Sequence, residues 1–262
     1  ILADGHLPWQ QVYWLMAGLM CVGSLAVLLA PEPEARAESS PSSISWSEKV
    51  FQPFLDFFRR TGAMEILLFI MVYKLSTMMA TALTTTFLMS LGFTKTEIGA
   101  VTKVAGLIAT IVGTLAGGAL MVRLGTKRSL WVFGVLQSLA GLTFLLLSYV
   151  GKNTAAMTAV IAVENFMIGL GVAAISGFMM AICNRQFTAT QFALLSSLTA
   201  VSRVVLVSQA GVLAEKLGWH AYFVFSVLLA APGLLLLTRY DRWQSLEVVP
   251  IGPRQLTQGA LF

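Results

Sequence analysis

In "VYKLSTMMATALTTTFLMS", residues 72–90, Lys74 and the threonines at 77, 81 and 84–86 interrupt a run of Val, Leu, Met, Ala and Phe. Read alone, the stretch is a membrane helix with a cation inside it. Composition supports the membrane: 57% of the chain is hydrophobic and 11% charged, with mean hydropathy +0.80, more apolar surface than one soluble core can hide. In lipid every backbone N–H and C=O must be satisfied within a helix or a closed barrel. The runs show no apolar–polar alternation, so the expected class is an all-α membrane protein.

Seven apolar runs can be drawn, at about 10–30, 63–91, 96–122, 129–150, 155–182, 189–213 and 218–239. Seven is odd, the chain starts at Ile1, and "ILADGHLPW" (1–9) reads as the end of an earlier helix and a turn. The chain is therefore expected to be part of a larger protein, with no signal peptide and with a missing amino-terminal half as its partner. The expected organisation is one helix closing that half (1–30), a cytoplasmic linker (31–62), a six-helix body (63–240) and a cytoplasmic tail (241–262).

Basic residues orient it. With the stretch after the first run inside, alternate loops and the tail place Arg36, Lys49, Arg59, Arg60, Arg123, Lys127, Arg128, Arg185, Arg239, Arg242 and Arg254 in the cytoplasm, against Lys95, Lys152 and Lys216 outside. The net charge of +5 is then mostly topological and carries no argument for nucleic-acid binding. Trp14, Trp131, Tyr149, Trp219 and Tyr222 lie near predicted helix ends, as interfacial anchors should. Cys21 and Cys183 sit in or at the end of apolar runs as small free hydrophobes, and two Cys with two His give no metal-ligand or nucleophile–base spacing. An enzyme is not expected.

The main hydrophilic interruption runs from Pro31 to Gly62. "PEPEARAESSPSS" (31–43) has linker composition. Over 46–60, Val50, Phe51, Phe54, Leu55 and Phe58 share one face opposite Lys49, Asp56 and Arg59, after a capping-box spacing at Ser45 and Glu48. That predicts an amphipathic helix kinked at Pro53, either lying on the inner leaflet or packed on the cytoplasmic ends of other helices.

A helix, a long linker and six helices with short loops point to the second half of a two-times-six transporter. The loop "GGALMVRLGTKRSL" (117–130) resembles the G-x-L-x-D-R-x-G-R-K/R signature of the major facilitator superfamily through Gly118, Leu120, Arg123, Gly125, Lys127 and Arg128. Val122 stands where that family has Asp and Thr126 where it has Arg, so the acid that latches such a loop is absent from it.

Lys74 is predicted about 17 Å from the inner end of its helix, and Lys103, Glu164 and Arg203 are also several residues from either end of theirs. Facing lipid, each would cost about 2.5–3.5 kcal/mol or more, so all four are expected to face a bundle interior or a wet cavity. Thr77, Thr81 and Thr84 follow Lys74 on one stripe, Ser196 and Thr199 precede Arg203 at the same spacing, and Gly106, Thr110, Gly113 and Gly117 follow Lys103. Three cations against one acid predict a cavity that takes carboxylates; the alternative is that Glu164 pairs with Lys103 or Arg203 to hold helices together.

"VYKL" (72–75), "LTTTFL" (83–88), "GLIATIVG" (106–113), "EN" (164–165) and "CNRQFTATQFALLSSLTAVSRV" (183–204) resemble the AmpG family of muropeptide permeases, over nearly the whole chain. The resemblance implies an inner-membrane, proton-driven importer of N-acetylglucosaminyl-1,6-anhydro-N-acetylmuramyl peptides for peptidoglycan recycling, a cargo with carboxylates. On it, Lys74, Lys103 and Arg203 are expected to bind carboxylates, Glu164 to couple a proton or charge, and Tyr73 and Asn165 to contact sugar or amide groups. Gly118, Arg123, Gly125, Lys127 and Arg128 would gate, with no catalytic residue, metal or cofactor. Asn184, Thr190 and Gln191 are read as a capped inner turn. Two departures stand out: Ser76 and Thr77 replace the family's Gly-Asp, removing an acid, and Val207 and Ser208 replace Gly-Pro, removing a kink. A carrier for another anion, such as the acetyl-coenzyme A transporters, a drug exporter and a transport-inactive regulator remain as other readings.

Overall fold

The structure, a computed structural model, describes residues 8–29, 46–59, 62–184 and 187–244. Among them every regular element is helical, as the lipid argument requires. The chain divides into two units, residues 1–46 and 47–262. The first contains α1 (Trp9–Leu29), 21 residues of almost uniformly apolar sequence and about 32 Å long, enough to span a bilayer.

In the second unit, α2 (Trp46–Phe58) precedes a first broken rod of α3 (Ala63–Tyr73), α4 (Leu75–Ala82) and α5 (Thr84–Ser90). α6 (Lys95–Val101) then passes through one π-turn (Thr102–Gly106) into α7 (Leu107–Leu124). The body continues with α8 (Thr126–Ala140), α9 (Leu142–Val150), α10 (Thr154–Ile182), α11 (Thr188–Leu206), α12 (Ala210–Leu228), α13 (Ala230–Leu237) and α14 (Tyr240–Gln244).

Among the described residues, six stretches are long and apolar enough to cross a membrane: 10–29, 63–90, 95–124, 126–150, 154–182 and 210–237. The predicted run 189–213 is not among them, because α11 carries Gln191, Ser196, Ser197, Thr199, Ser202 and Arg203. Nor is 210–237 one rod. Gly218 has φ +74°, and Gln209 and Leu229 line the same cavity of about 450 Å³. A straight helix would hold those two residues about 30 Å apart, so the chain folds back at Gly218, which only glycine does without strain. The two predicted runs therefore meet at this turn. The predicted loss of a kink at Val207 and Ser208 is not what the structure shows: the helix breaks over 207–209, where Ser208 Oγ donates to the Val205 carbonyl at 2.9 Å and the Ala210 N–H to Val207 O at 3.0 Å. A serine hydroxyl competing for helix carbonyls suffices without Gly-Pro.

Two apolar clusters fill the body. The inner one joins Phe57, Phe69, Phe133, Phe178, Tyr240 and Trp243; the outer joins Phe87, Phe144, Met157, Tyr222 and Phe223, with the Phe144 and Phe223 rings stacked at 5.3 Å. Tyr222, expected at the membrane interface, is fully buried and donates to Met79 O at 2.5 Å. The small-residue face of α7 packs on α10: a Cβ on Gly113 would lie 2.2 Å from the Phe166 carbonyl oxygen, so only glycine permits this backbone approach.

The linker helix belongs to the body. Phe57 of α2 is buried in the inner cluster, and Gln191 Nε2 donates to Pro53 O at 3.0 Å and Asp56 Oδ2 at 2.9 Å. Gln191 Oε1 accepts the Asn184 N–H at 2.7 Å and Thr188 Oγ1 donates to Asn184 O at 3.0 Å, while Thr190 is exposed. α2 thus packs on the turn between α10 and α11, while Leu55 and Phe58 stay about half exposed on its other side. The tail begins as the docked helix α14. The linker 31–45, Arg60, Arg185 and residues 245–262 lie outside the described residues.

Candidate transport site

The four mid-membrane charges sit on elements that touch in sequence: α4 on α11, α11 on α10, and α10 on the π-turn. Counting helical rise, Lys74 is about 17 Å from the start of α3, Lys103 about 12 Å from Lys95, Glu164 about 15 Å from Thr154 and Arg203 about 22 Å from Thr188, so each is at least two helical turns from the start of its helix.

Two of the cations sit in helix irregularities and the third lies one turn before a break. Lys74 is itself the break between α3 and α4, with φ −95° and ψ 1°; a second break follows at Leu83, with φ −113° and ψ 11°. Lys103 lies in the π-turn, and Arg203 is four residues before the break at Val207. Interrupted helices and π-turns leave backbone groups that neighbouring residues or a ligand must satisfy, and so mark binding sites in membrane proteins. Glu164 is different: it sits within the unbroken 29 residues of α10, is 2% exposed, and neither carboxyl oxygen has a hydrogen-bond partner among the described residues. Burial without a donor leaves this carboxyl in need of a proton or a cation.

The sequence places all four charges toward a bundle interior or a wet cavity, and on this body they divide. Lys74 is half-buried, but Lys103 and Arg203 are exposed on this body, and none of the four forms an ion pair among the described residues. The predicted excess of buried positive charge over Glu164 is therefore not present in this body. A helical repeat shows which residues share a stripe and not which side of the stripe the bundle covers.

The polar stripes are also quieter than expected. Thr81 Oγ1 donates to Thr77 O at 2.8 Å and Thr84 Oγ1 to Ala80 O at 3.4 Å, while Ser196 and Thr199 donate to Ala193 O and Ser196 O at 3.0 and 2.7 Å. Such back-bonding engages the hydroxyl proton and leaves acceptor lone pairs for a ligand. Thr77 Oγ1 alone in its stripe is buried without a partner among the described residues. Tyr73 is buried and donates to Leu130 O at 2.9 Å, tying α3 to α8. Asn165 accepts from Thr110 Oγ1 at 3.2 Å and donates to Ile161 O at 2.8 Å, tying α10 to α7.

Two features escaped the sequence reading. Gln137 of α8 is 2% exposed, and its Oε1 has no hydrogen-bond partner among the described residues. A lone amide in the apolar run 129–150 was the available signal. The second is the inner charge network. Arg239 Nη1 lies 2.6 Å from Glu65 Oε1, Trp243 Nε1 donates to Glu65 Oε2 at 3.2 Å, and Lys127 Nζ lies 2.6 Å from Asp241 Oδ2. In the predicted gating loop Gly125 makes the turn with φ +76°, while Gly118, Arg123 and Arg128 are exposed.

A helical body of membrane-length stretches, with interrupted helices and charges that form no ion pair among the described residues, defines a multi-pass helical membrane protein. The chain belongs to the Major Facilitator Superfamily, which residues 1–206 match, and it is a multi-pass inner-membrane protein. It is 46% identical over 237 residues to the anhydromuropeptide permease of Escherichia coli (strain K12), covering 90% of this chain and 48% of that protein. It is 36% identical over 231 residues to the putative transporter AmpG 4 of Rickettsia felis, covering 87% of this chain and 56% of the relative. An uncharacterized protein of Haemophilus influenzae is 35% identical over 241 residues, covering 88% and 56%. The chain thus spans about half the length of the curated relatives it matches.

Proposed function

We propose that this chain is the carboxy-terminal half of a proton-driven importer that carries anhydromuropeptides from periplasm to cytoplasm for peptidoglycan recycling. The observation that carries the reading is the location of Lys74 at a helix break, Lys103 in a π-turn and Arg203 one turn before a break, on neighbouring helices, in a chain 46% identical to an anhydromuropeptide permease. Lys74, half-buried at a break, is the inner anchor for a peptide carboxylate. Lys103 and Arg203, exposed on this body, face cargo across the space that the amino-terminal half closes. Glu164 holds the coupled proton, since its carboxyl has no other donor. Tyr73 and Asn165, assigned to sugar or amide contacts from sequence, have hydrogen bonds of their own to helix neighbours and serve the site first as scaffold. No bond is made or broken in such a cycle, so we assign no catalytic residue and no cofactor.

The test is uptake of labelled N-acetylglucosaminyl-anhydromuramyl tripeptide by the full-length protein in right-side-out vesicles, with and without an uncoupler. Uncoupler-sensitive accumulation supports the reading. Absence of uptake, where the Escherichia coli permease succeeds in the same vesicles, would give the fold to another anion, and competition by small anions would identify which.

A further inference from the structure

We propose, resting on the transport reading above, that Thr77 and Gln137 are positioning residues for a short chain of buried water that carries the proton of Glu164 inward to the level of Lys74.

Three helices fix the route. On α8, Gly134, Gln137 and Gly141 share one stripe at spacings of three and four residues. A Cβ on Gly134 would lie 3.1 Å from Tyr73 Cε2, and one on Gly141 would lie 3.5 Å from Ala80 Cβ. Tyr73, Thr77 and Ala80 form the facing stripe of α3 and α4, so Thr77 stands at the level of Gln137. The third side is α10, where a Cβ on Gly171 would collide with Gln137 Oε1. Glu164 lies two turns, about 10 Å, before Gly171 on the same stripe, opposite the face that packs on α7 through Phe166 and Gly169. With the basic loops inside, α10 runs inward and α4 outward. Glu164 is therefore outermost, Thr77 and Gln137 come next, and Lys74 is one turn further in.

The chemistry of this seam is one-sided. Thr77 Oγ1, Gln137 Oε1 and both Glu164 carboxyl oxygens are buried without a hydrogen-bond partner among the described residues, and Ser129 Oγ is the only other such side-chain atom there. An unpaired buried polar group costs about 1–3 kcal/mol, so a cluster of them calls for a common partner. A single cation cannot be that partner, because its oxygen ligands stand within about 2.6 Å of it and the seam is about 10 Å long. Water can, since it donates to every one of these oxygens and spans such a length in about three or four hydrogen bonds. The proton that leaves Glu164 passes to the first water, each water hands one on to the next, and Glu164 is left a carboxylate with no other bond changed. Gly171 leaves the amide its place beside this chain.

The experiment compares Gln137→Leu, Thr77→Val and Thr77→Ser with the parent, each as the full-length protein. In right-side-out vesicles it reads downhill exchange of labelled N-acetylglucosaminyl-anhydromuramyl tripeptide and its uncoupler-sensitive accumulation; in detergent it reads the unfolding midpoint. Gln137→Leu and Thr77→Val should each lower accumulation about tenfold or more while exchange falls less than about threefold, with an unchanged or raised midpoint, since an apolar side chain needs no partner. Thr77→Ser, which keeps the hydroxyl, should accumulate as the parent does. Accumulation within about twofold of the parent in either Gln137→Leu or Thr77→Val, or a Thr77→Ser protein as impaired as Thr77→Val, would overturn the water route and leave the transport reading in place. A lowered midpoint with exchange and accumulation falling together would also overturn it, because the two side chains would then be holding helices. A parent without uncoupler-sensitive accumulation would defeat the transport reading itself, and the route with it.

Discussion

The Gln191 side-chain amide donates to the Pro53 carbonyl at 3.0 Å across 138 residues of sequence, bolting the linker helix α2 to the turn between α10 and α11. The same side chain donates to Asp56 and accepts from the Asn184 backbone, and it is fully buried. Replacing it with leucine leaves the Asn184 N–H and the Asp56 carboxylate without this amide. Gln191→Leu is expected to lower the stability of the detergent-solubilised protein by about 1–3 kcal/mol, read as a lower unfolding midpoint. An unchanged midpoint would mean that the other contacts of α2, among them Phe57 and the Asn184–Asp56 hydrogen bond, suffice to hold it.

Close contact between α7 and α10 predicts a sharp contrast between glycines. Gly113→Ala places a methyl 2.2 Å from a backbone oxygen, whereas a Cβ on Gly211 meets nothing within 4 Å. The first variant should fail to accumulate in membranes or unfold at a markedly lower temperature, and Gly211→Ala should behave as the parent. Equal accumulation of the two would show that these helices can separate at little cost.

For cargo binding, Lys74→Ala, Lys103→Ala and Arg203→Ala should each reduce uptake about tenfold or more, since a lost charge-assisted hydrogen bond is worth about 1.5–3 kcal/mol. Lys74→Ala should cost most, being the least exposed of the three. Three stably expressed variants with unchanged uptake would remove the site from these residues.

Glu164→Gln keeps the shape of the side chain and deletes its titration. The expected outcome is cargo exchange down a gradient without uncoupler-sensitive accumulation. A Glu164→Gln protein that still concentrates cargo would assign the proton elsewhere, and Thr77→Asp, which returns an acid to a buried position, is then the variant to measure.

Much of this molecule is written locally. Composition and run length settle the all-α membrane class because a bilayer tolerates only self-satisfied backbone, and the resemblance in "CNRQFTATQF" and "VYKL" names the family by itself. The depth of Lys74, Lys103, Glu164 and Arg203 follows from counting residues along helices. The contact face of Gly113 and Gly117 follows from their spacing.

Tertiary packing decided the rest, for one reason: helical periodicity assigns residues to faces, while the identity of what each face meets depends on segments distant in sequence. Lys103 and Glu164 have the same signature on paper, a lone charge in an apolar run, yet one is exposed and the other 2% exposed with no partner among the described residues. The breaks at Lys74 and Val207–Gln209 lie where neither Gly nor Pro announces them. Lys127 meets Asp241 from 114 residues away, a pairing that no local reading of the loop contains, and only the docking of Tyr240 and Trp243 into the inner aromatic cluster brings that carboxylate within reach.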